Sequence, residues 1–410
     1  MTDRVWSKRD LLKSAGVGAL ALATGTVIHE RMSTYIVGAD SDAGATAASS
    51  VSDTDPLRID LTTHTPWRLV RGTFSTPRAE SLLSRTDVAF VQPDRWLETV
   101  SGSSHGSDGD RTVPWGTARI GGKTVIDADR RADGVDIGVI DSGIDATHPD
   151  LESAVAPPTD EDAHEAWVEC EGERCDHPWT DDGGHGTHVA GTVAGTGRSD
   201  GTLGVAPGAT LHALKVCGDL GRCRTSAAAK AVRYAADRDW DVVNLSLGSP
   251  RPSPALQAAG EYALAAGVVP VAAAGNQGRP DSVGYPAAYE EFLGVAASTI
   301  DDDIAGFSSR GPEVDITAPG AAVCAPVPGG YETRDGTSMA APHVAGAAAH
   351  VIADGASAAE ARTTLLETAE DLGHPAAEQG AGLVDVAAAL GYEHDGDTGD
   401  GVSCPAAVSA

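Results

Sequence analysis

Beyond about Thr112 the chain alternates short, mainly apolar runs with alanine-rich stretches. Val135 to Ile140, Leu211 to Val216, Val242 to Leu247, Val268 to Ala274 and Phe292 to Ala297 read as strands covered on both faces. His185 to Ala194, Ser226 to Arg238, Pro254 to Ala266, Ser338 to Ala353 and Ala358 to Ala369 have helix-forming composition. This alternation predicts one α/β domain with a mostly parallel central sheet flanked by helices. No internal repeat interrupts it.

The pattern upstream is weaker. Asp40 to Asp55, rich in Ala, Ser and Asp, and Ser101 to Asp110, rich in Ser, Gly and Asp, read as exposed linkers. Between them lie strand-like segments, Trp67-Arg68-Leu69-Val70 and Val88-Ala89-Phe90-Val91, in a piece small for an independent domain. Arg4, Lys8, Arg9 and Lys13 precede an uncharged, mainly apolar run from Ser14 to Ile28, which is short for a membrane span and reads as an export signal, with a retained anchor as the alternative. Ser7-Lys8-Arg9-Asp10-Leu11-Leu12-Lys13 resembles a twin-arginine signal with Lys8 in place of the first arginine. After Tyr392 a short tail of Asp, Gly and Ala is expected to be disordered.

Charge changes the picture. In 410 residues, 29 Lys and Arg stand against 59 Asp and Glu, a net charge of -30. Such a surface excludes nucleic acid and anionic membranes as partners. At molar salt the Debye length falls to roughly 3 Å and self-repulsion is screened, so the balance suits brine; an acidic secreted protein is the plainer alternative. Among six cysteines, Cys170 with Cys175 and Cys217 with Cys223 have spacings that favour local disulfides over zinc outside the cell. For Cys324 and Cys404 a buried thiol and a tail crosslink both stay open.

In α/β sheets functional groups collect just past the carboxyl ends of strands. Asp141 lies there, either capping its own turn or orienting a histidine. Gly184-His185-Gly186-Thr187-His188 opens a helix; His185 reads as a general base and His188 as a packed neighbour, while a zinc pair lacks a suitably spaced carboxylate. Asn276 ends the run Val271 to Gly275, where its amide could donate to an oxyanion or form a turn. Gly336-Thr337-Ser338-Met339-Ala340-Ala341-Pro342-His343 sets Ser338 between a glycine turn and a helix, with Pro342 expected in the first turn, where a missing N–H costs little. Alone, Ser338 is as readily a helix cap as a nucleophile. Together with His185 and Asp141 it makes acyl transfer through a triad the economical reading.

Asp141-Ser142-Gly143, His185-Gly186-Thr187-His188, Asn244-Leu245-Ser246-Leu247-Gly248, Ala273-Ala274-Gly275-Asn276 and Gly336 to Pro342 resemble, in this order, the motifs of subtilisin-like serine proteases, and the chain looks most similar to the halolysins of salt-loving archaea. The resemblance spans about Val113 to Leu390 and implies a three-layer fold preceded by a small α+β propeptide. It implies Ser338 as nucleophile, His185 as base, Asp141 as its orienting group, and Asn276 with the Ser338 N–H as oxyanion hole. Leu245, Ser246, Leu247 and Gly248 would form the edge to which substrates add, with Ala274, Gly275 and Gly284 completing the substrate site. Gly284 would lie at the base of a pocket for large apolar or aromatic side chains, implying broad specificity, whereas Ser249, where many relatives have glycine, departs from the pattern. Asp150 resembles a calcium ligand beside the loop 197–202, whose residues depart from the family's usual ones; a solvated acidic loop is the alternative. No organic cofactor is implied.

Tyr35-Ile36-Val37-Gly38 and Val88 to Asp94 resemble the first and last strands of the propeptide, which would block the cleft until cut between about Ser101 and Val113. The expected organisation is an export signal over 1–32, propeptide with linkers over 33–111, peptidase domain over 112–392 and an acidic tail over 393–410. The expected protein is a secreted, self-processing, monomeric endopeptidase acting on proteins and peptides, inhibited by its own propeptide, with no membrane partner after export. A narrow processing enzyme of the same chemistry and an inactive binding homologue are the competing readings.

Overall fold

A computed structural model describes residues 32–99, 113–160, 162–168, 170, 175–198, 201–399, 401 and 404–405. The export signal, apart from its last residue, and the cleavage junction lie outside the described residues. The chain divides into two compact units, residues 1–95 with 253–262, and residues 96–252 with 263–410.

In the first unit, Leu57–Asp60, Arg68–Ser75, Met32–Ala39 and Val88–Pro93 form, in that order, an antiparallel four-stranded sheet. Tyr35, Val37 and Ala39 alternate onto one face and meet Val70, Phe74, Leu82 and Val91 in a buried cluster. The stretch expected to be a linker from Asp40 to Asp55 contains instead a helix, Asp42–Ser50. Ser41 caps it by accepting from the Gly44 N–H at 3.1 Å, and its buried side consists of Gly44, Ala45 and Ala48. A side chain at Gly44 would run into the Asp87 carbonyl. Residues so small carry almost no hydrophobic contrast, which is why composition concealed the helix. Within this unit Gln92 also reaches the start of the Pro254–Ala266 helix, its Oε1 accepting from the Ala255 N–H at 3.0 Å.

The second unit is built on a seven-stranded sheet in the order Ile316–Pro319, Leu293–Ser298, Val269–Ala273, Val242–Leu245, Asp136–Asp141, Thr210–Lys215 and Glu165–Ala166, with every neighbouring pair parallel. Helices flank the sheet, as the alternation predicted. His185–Ala194 and Thr337–Ala353 pack on each other and on the sheet. Every residue from Thr337 to Val351 is buried, and small side chains permit the close approach: a Cβ at Gly346 would collide with Val205. Ile316–Pro319 and the hairpin of Val323–Val327 with Gly330–Arg334 were not anticipated. Both carry prolines that weaken a strand signal and are tolerated here at an edge and in a two-stranded hairpin.

Cys170–Cys175 and Cys217–Cys223 are disulfides, as their spacing suggested, and Cys324 is joined to Cys404. The tail expected to be disordered is thus joined to the domain at Cys404. His394 Nε2 lies 3.1 Å from Asp385 Oδ2, and the Trp115 N–H donates to the Gly401 carbonyl at 3.2 Å. Among the described residues beyond Tyr392, Cys404, His394 and Gly401 thus have partners elsewhere in the domain. No helix among the described residues is long and apolar enough to cross a membrane.

Candidate active site

Asp141 ends the Asp136–Asp141 strand, and His185 is the first residue of its helix, entered through Gly184 at φ 76°, a left-handed conformation that suits glycine. The helix end is pressed onto the strand end, because a Cβ at Gly186 would meet the Gly143 carbonyl and Asp141. His185 Nδ1 lies 2.7 Å from Asp141 Oδ1, which also accepts from the Ser142 N–H at 2.7 Å. A carboxylate acceptor at Nδ1 places the proton there and leaves the Nε2 lone pair open. Nε2 has no hydrogen-bond partner among the described residues.

A second carboxylate, not anticipated from sequence, holds this arrangement. Asp181 Oδ1 accepts from Ser142 Oγ at 2.8 Å, Gly183 N at 2.9 Å and Gly184 N at 2.8 Å, while its Oδ2 accepts from Thr187 N at 2.8 Å and Thr187 Oγ1 at 2.6 Å. Lys215, fully buried, donates to Asp182 Oδ1 at 2.6 Å and to the Ser142 carbonyl. The acidic pair just ahead of a helix N-terminus was the available signal. His188, wholly buried, reaches the Val323 and Glu332 carbonyls through Nε2, both at 3.1 Å. Burial pushes its pKa well below the usual value, and it is packed and hydrogen-bonded, the neighbour expected. No group of three or more His, Cys, Asp or Glu side chains able to hold a metal occurs among the described residues.

Ser338 lies in the first turn of Thr337–Ala353, behind Gly336 at φ 146°, a conformation that again favours glycine. The helix starts early enough that Pro342 is its sixth residue rather than a first-turn proline. Its missing N–H is therefore the one that would have bonded to the Ser338 carbonyl four residues back. Ser246 supplies the replacement: its Oγ donates to that carbonyl at 2.8 Å, while Ser338 Oγ donates to the Ser246 carbonyl at 2.9 Å. Asn244 Nδ2 in turn donates to Ser246 Oγ at 2.9 Å.

Asn276 Oδ1 accepts from both Thr337 N and Thr337 Oγ1 at 2.9 Å, which turns its NH2 end away from Thr337. Thr337 Oγ1 also accepts from the Gly275 N–H at 3.0 Å. Leu245 is buried in the sheet, paired with Ala272, so it supports the edge. Leu247 and Gly248 pair antiparallel with Thr99 and Glu98. Gly284 donates to the Ala274 carbonyl at 2.8 Å, and Ser249 is bridged to Tyr285 by two backbone bonds at 2.8 and 2.9 Å. A side chain at Gly284 would sit 3.3 Å from the Ser249 carbonyl, closing the space between these segments.

Asp150 is fully buried, and burial raises its pKa. Its Oδ2 accepts from Thr202 N at 2.7 Å and from Tyr331 Oη at 3.0 Å, while Oδ1 has no partner among the described residues. The Arg198 backbone N–H also faces this carboxylate. Through Thr202 and Tyr331, Asp150 ties its loop to the hairpin.

A parallel α/β sheet that brings an aspartate–histidine pair and a helix-end serine to one edge has the architecture of a serine hydrolase. Residues 132–383 match the model of the subtilase family. Subtilisin E of Bacillus subtilis (strain 168) is 39% identical over 323 residues, covering 77% of this chain and 79% of the relative. Subtilisin DY of Bacillus licheniformis is 40% identical over 285 residues, covering 68% and 99%, and an alkaline protease of Alkalihalobacillus alcalophilus is 39% identical over 315 residues, covering 75% and 77%. The chain belongs to the subtilase family of serine endopeptidases.

Proposed function

We propose that the chain is a secreted, self-processing endopeptidase of broad specificity that works through Asp141, His185 and Ser338. Ser338 Oγ attacks the scissile carbonyl carbon as His185 Nε2 takes its proton; the same proton passes to the departing amine. Water then attacks the acyl-enzyme by the reverse use of His185. Asp141 holds the imidazole and stabilises its cationic form. Asn276 Nδ2 and the Ser338 N–H stabilise the oxyanion. Ser338 leaves the Ser246 carbonyl by a χ1 rotation before it meets His185.

The observation that carries this reading is the strand Trp96–Thr99, the middle of a three-stranded antiparallel sheet between Leu247–Gly248 and Arg222–Arg224. Thr99 donates its N–H to the Gly221 carbonyl at 3.0 Å and lines a cavity together with His185, Gly221 and Arg334. A peptide is thus seated by backbone bonds beside the base, as extended substrates are in strand addition. The next residue in the chain is Val100. We place self-cleavage at Val100–Ser101, with residues 33–100 as the propeptide that inhibits until released. The signal-like sequence over 1–32 and the acidic balance support work outside the cell, in brine. N-terminal sequencing of active material tests the zymogen reading: a start at Ser101 is expected, and a start before residue 95 refutes it.

A further inference from the structure

The strand Trp96–Thr99 alternates between two environments. Leu97 is buried and lies opposite Cys223, whereas Trp96 remains 40% exposed. Directly opposite Trp96 in the antiparallel ladder is Arg224, and opposite Glu98 is Arg222, so both arginines rise on the face that carries Trp96 and Glu98. Their guanidinium carbons lie 3.6 Å (Arg224) and 4.6 Å (Arg222) from the Trp96 ring centroid. Two guanidinium groups on one indole are an unusual placement in a chain with 29 basic and 59 acidic residues. The edge that bears them is stapled by the Cys217–Cys223 disulfide, which closes the loop containing Gly221 and Arg222.

We propose that Arg222 and Arg224 form a specificity subsite for a planar aromatic side chain of the substrate, four residues before the residue at the scissile bond. This rests on the peptidase reading and on strand addition at this edge. Guanidinium planes stack on aromatic faces, and the quadrupole of an indole attracts both charges. An aliphatic side chain of equal area offers no such face. Because the contact is remote from the reacting atoms, it acts on binding of ground and transition states alike and is read in KM.

The test uses mature enzyme and three chromogenic peptide anilides that share the sequence Leu-Glu-Thr-Val before the leaving group and begin with Trp, Leu or Ala. The Trp peptide is expected to exceed the Ala peptide about 5-fold in kcat/KM, mainly through KM, with the Leu peptide within about 2-fold of Ala. The double variant Arg222→Ala/Arg224→Ala brings the Trp-to-Ala ratio close to 1, and Arg224→Lys, which keeps charge without the plane, lowers it. Equal cleavage of all three peptides, or a ratio unchanged in the double variant, overturns the subsite and leaves the peptidase reading standing. Cleavage of none of them by the wild-type enzyme overturns the peptidase reading and the subsite with it.

Discussion

On the histidine side of the cleft, Asp181 alone accepts hydrogen bonds from Ser142, Gly183, Gly184 and Thr187, and the buried Lys215–Asp182 pair locks the Ser142 carbonyl. On the serine side the supports are neutral: Ser246 and Asn244 behind Ser338, and Thr337 behind Asn276. Charge-assisted bonds are roughly twice as strong as neutral ones, so the first side fixes the imidazole rigidly. The second side holds the Ser338 hydroxyl on the neutral Ser246 carbonyl, from which the proposed mechanism turns it toward His185. In the proposed mechanism the first side orients a base and the second delivers a nucleophile.

The largest expected effect breaks the charged side. Asp181→Ala strands several buried donors at once and should destabilise the fold by about 4 kcal/mol, lowering Tm by about 10 °C. A calorimetric Tm within about 2 °C of wild type would show that the carboxylate is not the scaffold. Next comes the neutral side, where Asn276→Ala should lower kcat about 100- to 1,000-fold with KM little changed, the loss that follows removal of an oxyanion-hole donor in a subtilisin relative. An unchanged kcat in steady-state kinetics would remove Asn276 from the hole.

A smaller effect separates the two roles of Ser246. Ser246→Ala leaves the Ser338 carbonyl unsatisfied and should cost about 1–2 kcal/mol in denaturant titration. Adding Pro342→Ala restores the helical N–H and should recover part of that loss. No recovery in the double variant would refute the pairing of proline and serine.

A further effect concerns pH. Burial lowers the pKa of His343 to about 4, and burial, with the neighbouring His212 and His177 and against Asp160, lowers that of His164 to about 4. Both groups stay neutral when folded but take up protons near about 6.5 when unfolded. Their contribution is present above about pH 6.5 and is lost as pH falls toward about 4. Stability should therefore decline across that window, and a flat profile would contradict it.

Much of this was legible in the chain. The parallel sheet and the helices ending at Ala194 and Ala353 followed from apolar runs and alanine content, and Asp141, His185, Asn276 and Ser338 were marked by their places at strand and helix ends. What escaped depends on three-dimensional pairing. Asp181 and Lys215 look like ordinary charges until a carbonyl and a row of N–H groups are brought to them. The helix over Asp42–Ser50 was hidden because its buried face is only glycine and alanine. Cys404 lies in a tail whose composition signals disorder, and its partner Cys324 is 80 residues away.

Covalent labelling of active enzyme with a sulfonyl fluoride, mapped by mass spectrometry, tests the triad most directly. One modification is predicted, on Ser338, rising in step with loss of activity and suppressed in His185→Ala. Complete inactivation with Ser338 unmodified would contradict it.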